Sequence, residues 1–453
     1  MSPSTSLRRL LVGLALAISA AATGTSGATA ETGTRTAATP DHPLYDVSLR
    51  SDATGDRWTG RQRVSFRNAS AQPLREVYVR LWGNGPDGCA APAVKVSKVR
   101  GGTPAAPTVG CTALRIKLPA PLTQGHRATV SFDVDITVPD RTDRFGREGA
   151  FRFLGNALPV LAVHDATGWH LDPYASSLES FYTLAGDFQV TLDHPTALKV
   201  PATGRTTSEP SAAPGRTLTR SVARKVRDFA WAAGPFRTTA ETTPGGIRVR
   251  SYWSPDTPAE GVRINRRDGA TAVDALGASL GRYPYGELDL VMTPGFPGGM
   301  EYPGLVLLGT TEEGGAAVHE IAHQWWYGIV GNDEYRSPWL DESFAQYSSF
   351  RLLGILEEQC SYGTTWPDDE AALTNSMAYF STHPGSFRVL YSLGPCALWD
   401  LEKTIGSDAM DGLLRNYARD HWYGVSTTAA FKRAAQSVTS KDLGPFWETH
   451  RIR

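Results

Sequence analysis

The sequence predicts an α+β protein of two domains, an N-terminal all-β domain and a C-terminal domain of strands and helices. Residues 45–240 contain short segments in which apolar and polar side chains alternate, which is typical of half-buried strands. From about residue 255 onward, apolar residues recur at the spacing of helices instead. Because strands come first and helices follow, we expect separate domains over residues 45–240 and 241–453.

Four segments of the N-terminal half show the strand pattern most clearly. They are residues 63–66, 77–81, 114–118 and 130–136, and turn clusters rich in glycine punctuate them. Regularly spaced short strands favour a sandwich or a large saddle-like sheet. We expect the stretch 203–216, which is rich in Ser, Pro and Gly, to form a hairpin loop.

The C-terminal half is predicted to begin with a helix over 257–281, since its apolar residues recur at helical spacing. Strands follow at 287–292 and 304–308, on either side of a turn rich in Gly and Pro. The tail from about residue 386 is predicted to be mostly helical. Strands and helices in this order complete the α+β architecture.

Composition and charge exclude some classes of partner. The chain has 453 residues, 41% of them hydrophobic and 20% charged, with a formal net charge of -1. These values are ordinary for a globular protein of two or three domains. Because the chain has no basic stripe and no long run of one charge sign, we expect neither nucleic acid nor an anionic membrane as a partner. The oligomeric state is not predictable from these features.

The N-terminus has the composition of a signal peptide. Arginines at positions 8 and 9 precede an apolar run at 10–22, and small residues at 28–30 offer a cleavage site. The apolar run is too short for an ordinary membrane-spanning helix, and an uncleaved anchor is the alternative. We expect residues 1–30 to be a signal peptide, residues 31–44 to be a disordered leader, and the protein to be secreted without stable membrane insertion.

The four cysteines favour disulfide bonds, because an even number in an exported chain is typical of a disulfide framework. Cys89 and Cys111 lie in the N-terminal half, and Cys360 and Cys396 lie in the C-terminal half. We expect one bond in each domain, Cys89–Cys111 and Cys360–Cys396. Free buried thiols are the alternative.

The most informative stretch is residues 319–323, which read His-Glu-Ile-Ala-His. Two histidines four positions apart share one face of a helix, so both rings can reach one metal ion. Glu320 lies between them, beside the metal, where it can take a proton from an activated water. The predicted metal ligands His319 and His323 therefore come with a candidate general base.

Glu342 is the natural third ligand, since catalytic zinc usually has three protein ligands and one open position. It follows His323 after eighteen intervening residues, in the motif Trp-Leu-Asp-Glu, and Leu340 and Phe344 place it on a second helix. One zinc ion per chain is expected, because this ligand set favours zinc over cobalt or manganese.

A chance match on a surface helix is the alternative reading of residues 319–323. The second helix with its glutamate argues against it. Small residues at 314–317, preceded by Glu312 and Glu313, also suit the start of a buried helix.

These residues resemble the aminopeptidase N family of zinc metallopeptidases, the gluzincins. Its zinc signature is HExxH, then eighteen residues, then Glu within a WLNE-type motif, which matches residues 319–342 without a gap. Gly-Gly-Met-Glu at 298–301 resembles the family's GxMEN exopeptidase motif, and Tyr-Ser-Leu-Gly at 391–394 resembles its YEKG segment. The resemblance covers about residues 285–405 and is weaker over the β domain.

The resemblance implies a thermolysin-like α/β catalytic domain and two further site groups. It assigns to Tyr391 the donation of a hydrogen bond to the oxyanion, with a core tyrosine as the alternative. It implies that Glu301 pairs with the α-amine of a peptide, with a solvated turn glutamate as the alternative. Gly298 and Gly299 are expected to let the backbone approach the substrate, and Met300 belongs to the same substrate-binding motif.

The chain departs from the family pattern at several positions. Tyr302 replaces the Asn of GxMEN, Asp341 replaces the Asn of WLNE, and Ser392 and Leu393 replace Glu and Lys of YEKG. Asp341 is either a carboxylate that orients a ligand histidine or a surface residue. The sequence also lacks the family's large C-terminal helical domain, so a more open site is expected. No motif identifies the β-domain residue that helps to hold the amine, and the region around Asn156 is a weak candidate.

The sequence therefore predicts an exported zinc aminopeptidase that acts on peptides or proteins with a free N-terminus. A zinc endopeptidase with an open cleft is the first alternative, and Glu301 argues against it. A catalytically silent peptide-binding module is the second, and the intact ligands and general base argue against it. Lipid epoxide hydrolysis, known in one branch of the family, has no sign in the sequence.

Overall fold

Strands build the first half of the chain, as the alternating pattern predicts. The computed structural model describes residues 38–176, 178–310, 315–361, 365–383 and 385–453. The strands of this half are β1 (Asp41–Ser51), β2 (Arg57–Arg67), β3 (Leu74–Arg80), β4 (Val94–Arg100), β5 (Thr103–Pro104), β6 (Ala113–Leu122), β7 (Arg127–Thr137), β8 (Phe145–Glu148), β9 (Phe151–Leu154), β10 (Val160–Leu161), β11 (His164–Asp165), β12 (Gly168–Trp169), β13 (Gly186–Pro195), β14 (Arg205–Pro210), β15 (Arg216–Val226) and β16 (Trp231–Ala233).

Two sheets enclose the core of the β domain. The larger sheet has the strand order β14-β15-β13-β1-β2-β7-β4, in which β1 and β13 are parallel and the other neighbours antiparallel. The smaller sheet has the order β10-β3-β6-β5. Val47 and Phe132 of the larger sheet share one hydrophobic core with Val77 and Ile116 of the smaller sheet. The apolar residues of the alternating pattern are therefore those that face inward, between the two sheets.

The chain joins the larger sheet earlier than predicted. The expected signal peptide, residues 1–30, lies outside the described residues, as do residues 31–37 of the expected leader. Thr39 is fully buried, and β1 begins at Asp41. A disordered leader up to residue 44 is therefore wrong for its last residues, because β1 pairs with β2 on one side and β13 on the other.

The expected hairpin loop over 203–216 is shorter than predicted. Residues 205–210 form β14, which pairs along its length with residues 217–222 of β15. Only residues 211–215 connect the two strands. Threonine and arginine within this stretch suit an exposed edge strand, and the Ser, Pro and Gly residues concentrate at the turn.

The second half of the chain combines a sheet with helices, which confirms the α+β prediction. Its strands are β17 (Arg237–Thr242), β18 (Arg248–Trp253), β19 (Glu287–Thr293), β20 (Gly299–Met300) and β21 (Leu305–Gly309). Its helices are α1 (Ala259–Leu280), α2 (Gly315–Ala322), α3 (Trp339–Leu353), α4 (Leu356–Ser361), α5 (Met377–Thr382), α6 (Gly394–Ile405), α7 (Ser407–Asp420), α8 (Thr428–Ser437) and α9 (Gly444–Thr449), and Val389–Leu393 forms a π-helical turn before α6.

The sheet of the second half has the order β17-β18-β19-β21-β20, with β18, β19 and β21 parallel. β17 begins at Arg237, so the predicted boundary between residues 240 and 241 falls inside a strand of this sheet. The second domain therefore begins earlier than predicted. The sequence of β17 is polar and has no change of pattern from the preceding strands, so it does not show that a new domain has begun.

The helices that carry the predicted ligands lie in the core of this domain. α2 packs against α1 and α3, and Trp325, Trp326 and Trp339 near their ends are fully buried. Large apolar groups thus surround the polar ligand residues and hold the two helices in place. The predicted helix start at Glu312 and Glu313 lies outside the described residues.

Both predicted disulfide bonds are confirmed. Cys89 and Cys111 are joined in the β domain with a Cα–Cα distance of 5.1 Å, and Cys360 and Cys396 are joined in the helical region at 5.5 Å. Both distances are ordinary for disulfide bonds. In the part of the chain that the structure describes, no helix has the length and apolar character needed to cross a bilayer.

Candidate active site

The three predicted ligands converge where α2 and α3 meet. His319 lies on α2, and the helical hydrogen bond from His323 N–H to the His319 carbonyl places the second ring one turn further. The two Nε2 atoms are 3.0 Å apart, and Glu342 Oε2 of α3 lies 3.3 Å from His319 Nε2 and 3.4 Å from His323 Nε2. Two imidazole nitrogens and one carboxylate oxygen therefore face a common point.

This donor set fits a zinc ion. Glu342 Oε2 is buried and has no hydrogen-bond donor among the described residues. A buried carboxylate oxygen without a donor is costly, and a dication shared with two imidazoles offsets that cost. Two histidines and one glutamate with a free fourth position form the usual ligand set of catalytic zinc.

Neighbouring groups orient the ligands. His323 Nδ1 lies 3.0 Å from the Trp326 carbonyl oxygen, and donation of Nδ1–H to that oxygen leaves the Nε2 lone pair for a metal. The Glu342 carboxylate is held at its other oxygen, because Tyr391 O–H donates to Glu342 Oε1 at 2.7 Å. Tyr391 lies in the π-helical turn before α6, and its bond to Glu342 places its hydroxyl at the ligand cluster.

Asp341 is buried, so the surface reading of this residue is wrong. Its carboxylate accepts hydrogen bonds from the Asn332 side chain at 3.1 Å and from the Glu342 backbone N–H at 2.7 Å. These bonds fix the first turn of α3. Asp341 thus supports the ligand Glu342 through its backbone and does not orient a histidine through these bonds.

Glu320 is buried beside the ligands and against the glycine-rich segment. A Cβ at Gly299 would lie 2.2 Å from Glu320 Oε1, so only glycine allows this approach. Burial raises the pKa of the Glu320 carboxyl to about 8, Glu342 and Glu179 add to the rise, and His323 opposes it. A carboxyl with a pKa in this range is suited to accept and return a proton.

Glu301 is also buried, which excludes the solvated turn reading. Burial raises its pKa well above the ordinary value, and neighbouring Glu179, Glu320 and Glu342 add to the rise while His323 opposes it. Glu301 follows Met300, whose strand β20 pairs with β21 and whose side chain is buried among aromatic residues. The segment begins at Gly298, where φ is +70° and glycine is favoured.

Sequence reasoning missed two charged residues of the site, Glu179 and Arg144 of the β domain. Arg144 Nη1 lies 2.7 Å from Glu179 Oε1, and both side chains are mostly buried. Burial raises the pKa of Glu179, Arg144 opposes the rise, and contact with Glu342 adds to it. Glu179 therefore brings a β-domain carboxylate to the metal ligands. It lies in an irregular segment without a local pattern, so no sequence signal pointed to it.

Residues 314–450 match the model of the Peptidase family M1 domain. Residues 314–450 carry a peptidase family M1 domain. This confirms the resemblance to the aminopeptidase N family of gluzincins that the motifs indicate.

Curated relatives agree with the M1 assignment over parts of the chain. Human endoplasmic reticulum aminopeptidase 1 is 27% identical over 225 residues, 42% of this chain and 23% of the relative. Aminopeptidase A of Gloydius brevicauda is 26% identical over 271 residues, 51% of this chain and 27% of the relative. Aminopeptidase B of Rattus norvegicus is 38% identical over 91 residues, 18% of this chain and 14% of the relative. The chain spans about a quarter of the length of the first two relatives.

Solved structures share the M1 fold over nearly the whole chain. An M1 zinc metallopeptidase from Deinococcus radiodurans superposes with a TM-score of 0.69 at 16% identity, covering 91% of this chain and 93% of that protein. A mutant of the Deinococcus protein bound to a Tyr-Ser-Ala substrate superposes with a TM-score of 0.68 at 17% identity, covering 91% of this chain and 94% of that protein. At this identity the likeness shows the fold, a β domain followed by the metallopeptidase domain.

Proposed function

We propose that this protein is a zinc-dependent aminopeptidase that hydrolyses the N-terminal bond of peptides with a free amine. The convergence of His319, His323 and Glu342, with Glu320 buried beside them, carries the proposal. These three residues would hold one zinc ion, which when bound lowers the pKa of water towards ~7 and polarises a carbonyl.

Glu320 is the proposed general base and acid. It takes a proton from the water that attacks the scissile carbonyl carbon, and it delivers that proton to the leaving amine nitrogen. Its buried position raises its pKa to about 8, which makes the Glu320 carboxylate a stronger base for the abstraction of the water proton. A dication at the three ligands favours the ionised carboxylate that the first step needs.

Tyr391 is the proposed donor to the oxyanion that forms when water adds to the carbonyl. Its hydroxyl lies at the ligand cluster, 2.7 Å from Glu342 Oε1. Burial raises the pKa of this hydroxyl well above the ordinary value, and Glu342 adds to the rise. Tyr391 therefore stays protonated and able to donate at neutral pH.

Glu301 is the proposed partner of the substrate α-amine, and Glu179 supports it from the β domain. Glu301 is buried and Glu179 is mostly buried, and both carboxyls have a raised pKa because burial penalises their charge. An ammonium group placed beside them offsets that penalty, whereas an internal or acetylated residue brings no charge. This charge requirement favours an aminopeptidase over an endopeptidase.

We propose that the protein acts outside the cell. Two disulfide bonds favour an oxidising compartment, and the predicted signal peptide at residues 1–30 supplies a route there. The proposed partners are peptides or proteins with a free N-terminus.

Hydrolysis of matched peptides tests the proposed function. Each peptide of a small panel is offered with a free and with an acetylated N-terminus, and Glu320→Gln is the control variant. We expect cleavage of the free peptides only, and a loss of about 10²–10⁴-fold in kcat in the variant. Equal cleavage of both forms would favour the open-cleft endopeptidase. No cleavage by zinc-loaded protein would favour the silent binding module.

A further inference from the structure

Tyr302, the residue after Glu301, is fully buried and reaches across to the β domain. Its hydroxyl donates to Asn156 Oδ1 at 2.8 Å, over a sequence separation of 146 residues. A buried tyrosine hydroxyl needs a partner, and this partner belongs to the other domain. Tyr302 stands where the related motif has asparagine, so this bond is a feature of the present chain.

The hydrogen bond continues into a buried network between the domains. Asn156 Nδ2 donates to Asp228 Oδ2 at 3.4 Å, and Tyr327 O–H donates to the same oxygen. Tyr327 has φ of +127°, which is rare for a residue other than glycine. Tyr302 and Tyr327 of the peptidase domain thus fasten to Asn156 and Asp228 of the β domain.

The β domain provides the space that Tyr302 occupies. A Cβ at Gly155 would lie 1.9 Å from the Tyr302 hydroxyl oxygen and 2.3 Å from Cζ. Real atoms do not approach this closely, so the large side chain at 302 fits because position 155 is glycine. The large side chain of Tyr302 therefore fills the space that the missing side chain of Gly155 leaves. The two residues pack directly against each other.

The backbone around Glu301 is also held from the metal-ligand side. Gln324, next to His323, is fully buried and donates from Nε2 to the carbonyl oxygens of Glu301 and Tyr302, both at 3.2 Å. Its Oε1 accepts the Gly304 N–H at 2.8 Å. Gln324 fixes the segment against the zinc ligands, and Tyr302 fixes it against the β domain.

We infer that Tyr302 is a positioning residue, which through Asn156 holds Glu301 where the substrate amine binds. The inference rests on the proposed function, because Glu301 is taken there as the amine partner. Loss of the Tyr302–Asn156 bond lets the segment shift and leaves Asn156 Oδ1 buried without its donor. We expect the effect to fall on the recognition of a free amine and not on zinc binding, because Gln324, next to His323, still bonds to the carbonyl oxygens of Glu301 and Tyr302.

Ligand binding without turnover tests this inference. Zinc-loaded Glu320→Gln protein is titrated by calorimetry with the dipeptide Leu-Ala, free or acetylated at its N-terminus. Adding Tyr302→Phe is expected to reduce the preference for the free dipeptide about 5- to 10-fold, and Asn156→Ala to do the same. The double variant is expected to lose no more than Asn156→Ala alone, because Asn156→Ala already removes the bond to Tyr302.

Tyr45→Phe is the matched control, since Tyr45 is a buried tyrosine whose hydroxyl accepts the Leu161 N–H in the β-domain core. It is expected to keep the full preference. Zinc content and thermal unfolding verify that each variant is loaded and folded. Undiminished preference in both Tyr302→Phe and Asn156→Ala would overturn the inference while the proposed function stands.

Hydrogen–deuterium exchange separates failure of the inference from failure of the proposed function. If the parent protein shows no preference for a free amine, the aminopeptidase proposal fails. Faster exchange of residues 298–304 in Tyr302→Phe than in Tyr45→Phe would still support the positioning of this segment by Tyr302. Equal exchange in the two variants would overturn it.

Discussion

Two clusters of metal-ligand side chains differ in how their charges are balanced. One is the proposed zinc site, His319, His323 and Glu342, and the other is His170, Asp172 and Asp333; in each, the potential ligand atoms lie within 4.8 Å of one another. Ligand type and spacing alone do not distinguish them. Their surroundings do, and the difference shows which kind of buried charge indicates a bound ligand.

The second cluster satisfies its own charges. His170 Nδ1 lies 2.7 Å from Asp333 Oδ2, and Nε2 lies 2.8 Å from Asp165 Oδ2, so a protonated ring pairs with both carboxylates. Arg336 lies 3.2 Å from Asp172 and 3.7 Å from Asp333. Each acid has a cationic neighbour, and the cluster joins the β domain to the loop before α3 without needing a metal.

Acids outnumber bases in the first cluster. Glu342 lies with three further buried or half-buried carboxyls, those of Glu179, Glu301 and Glu320, and Arg144 pairs with only one of them. This excess of acidic groups fits the proposed binding of two cations, zinc at one end and the substrate ammonium at the other. In the proposed zinc site the acidic groups lack enough cationic partners, which indicates a bound ligand. In the cluster around His170 each acid has a cationic partner, which indicates a structural role.

Measurement of the metal content is the most direct test of the difference between the two clusters. Wild-type protein is expected to hold about one zinc ion per chain, and His323→Ala to hold almost none, because three ligands are needed for tight binding. His170→Asn is expected to keep the full zinc content. Elemental analysis after dialysis measures all three proteins, and loss of zinc from His170→Asn would show that the second cluster is not merely structural.

Replacement of Tyr391 tests whether this residue acts in catalysis or only holds the ligand Glu342. Tyr391→Phe is expected to lower kcat about 10²–10³-fold with little change in KM, since an oxyanion donor acts in the transition state. Tyr347→Phe is the control, because Tyr347 is a buried tyrosine that donates to Glu402 at 2.7 Å on the same helix as Glu342. Zinc content is measured alongside, and a parallel loss of zinc would indicate that Tyr391 serves Glu342 instead.

The second cluster predicts a smaller, pH-dependent effect on stability. Burial lowers the pKa of His170, but the hydrogen bonds and charges of Asp333 and Asp165 outweigh it and raise the pKa above the ordinary value of about 6.5. The stabilisation is then complete below pH of about 6.5 and is lost as the pH rises through the raised pKa. His170→Asn is expected to lower the free energy of unfolding by about 2 kcal/mol at pH 5.5, and by less at pH 9.

Thermal or denaturant unfolding at both pH values checks this sign. His126→Asn serves as the control, since His126 is exposed. If His170→Asn lowers the free energy of unfolding equally at both pH values, the ring acts through packing and not through its charge.

The candidate zinc ligands and the strands could be identified from the sequence because their signals are local. His319 and Glu320 lie on α2 and His323 follows its last residue, and alternating side chains identify strands within a few residues. Groups joined by long-range contacts could not be predicted. Tyr302 and Asn156 meet across 146 residues, and Glu179 reaches the site from an irregular segment, so none of the three residues carries a periodic signal. The end of the leader and the domain boundary were predicted too late in the sequence for a related reason. Polar residues at the start of a strand join a sheet through backbone hydrogen bonds, which leave no apolar pattern in the sequence.

The parallel pair of β1 with β13 has a consequence for the order of folding. β1 (Asp41–Ser51) lies inside the larger sheet, and one of its two neighbours, Gly186–Pro195, follows more than a hundred residues later. A nascent chain that has emerged only as far as β12 exposes one edge of β1 without its partner. The larger sheet therefore closes late, after a long loop has been drawn together, which makes its assembly slow and exposes the growing chain to aggregation until residue 195 arrives.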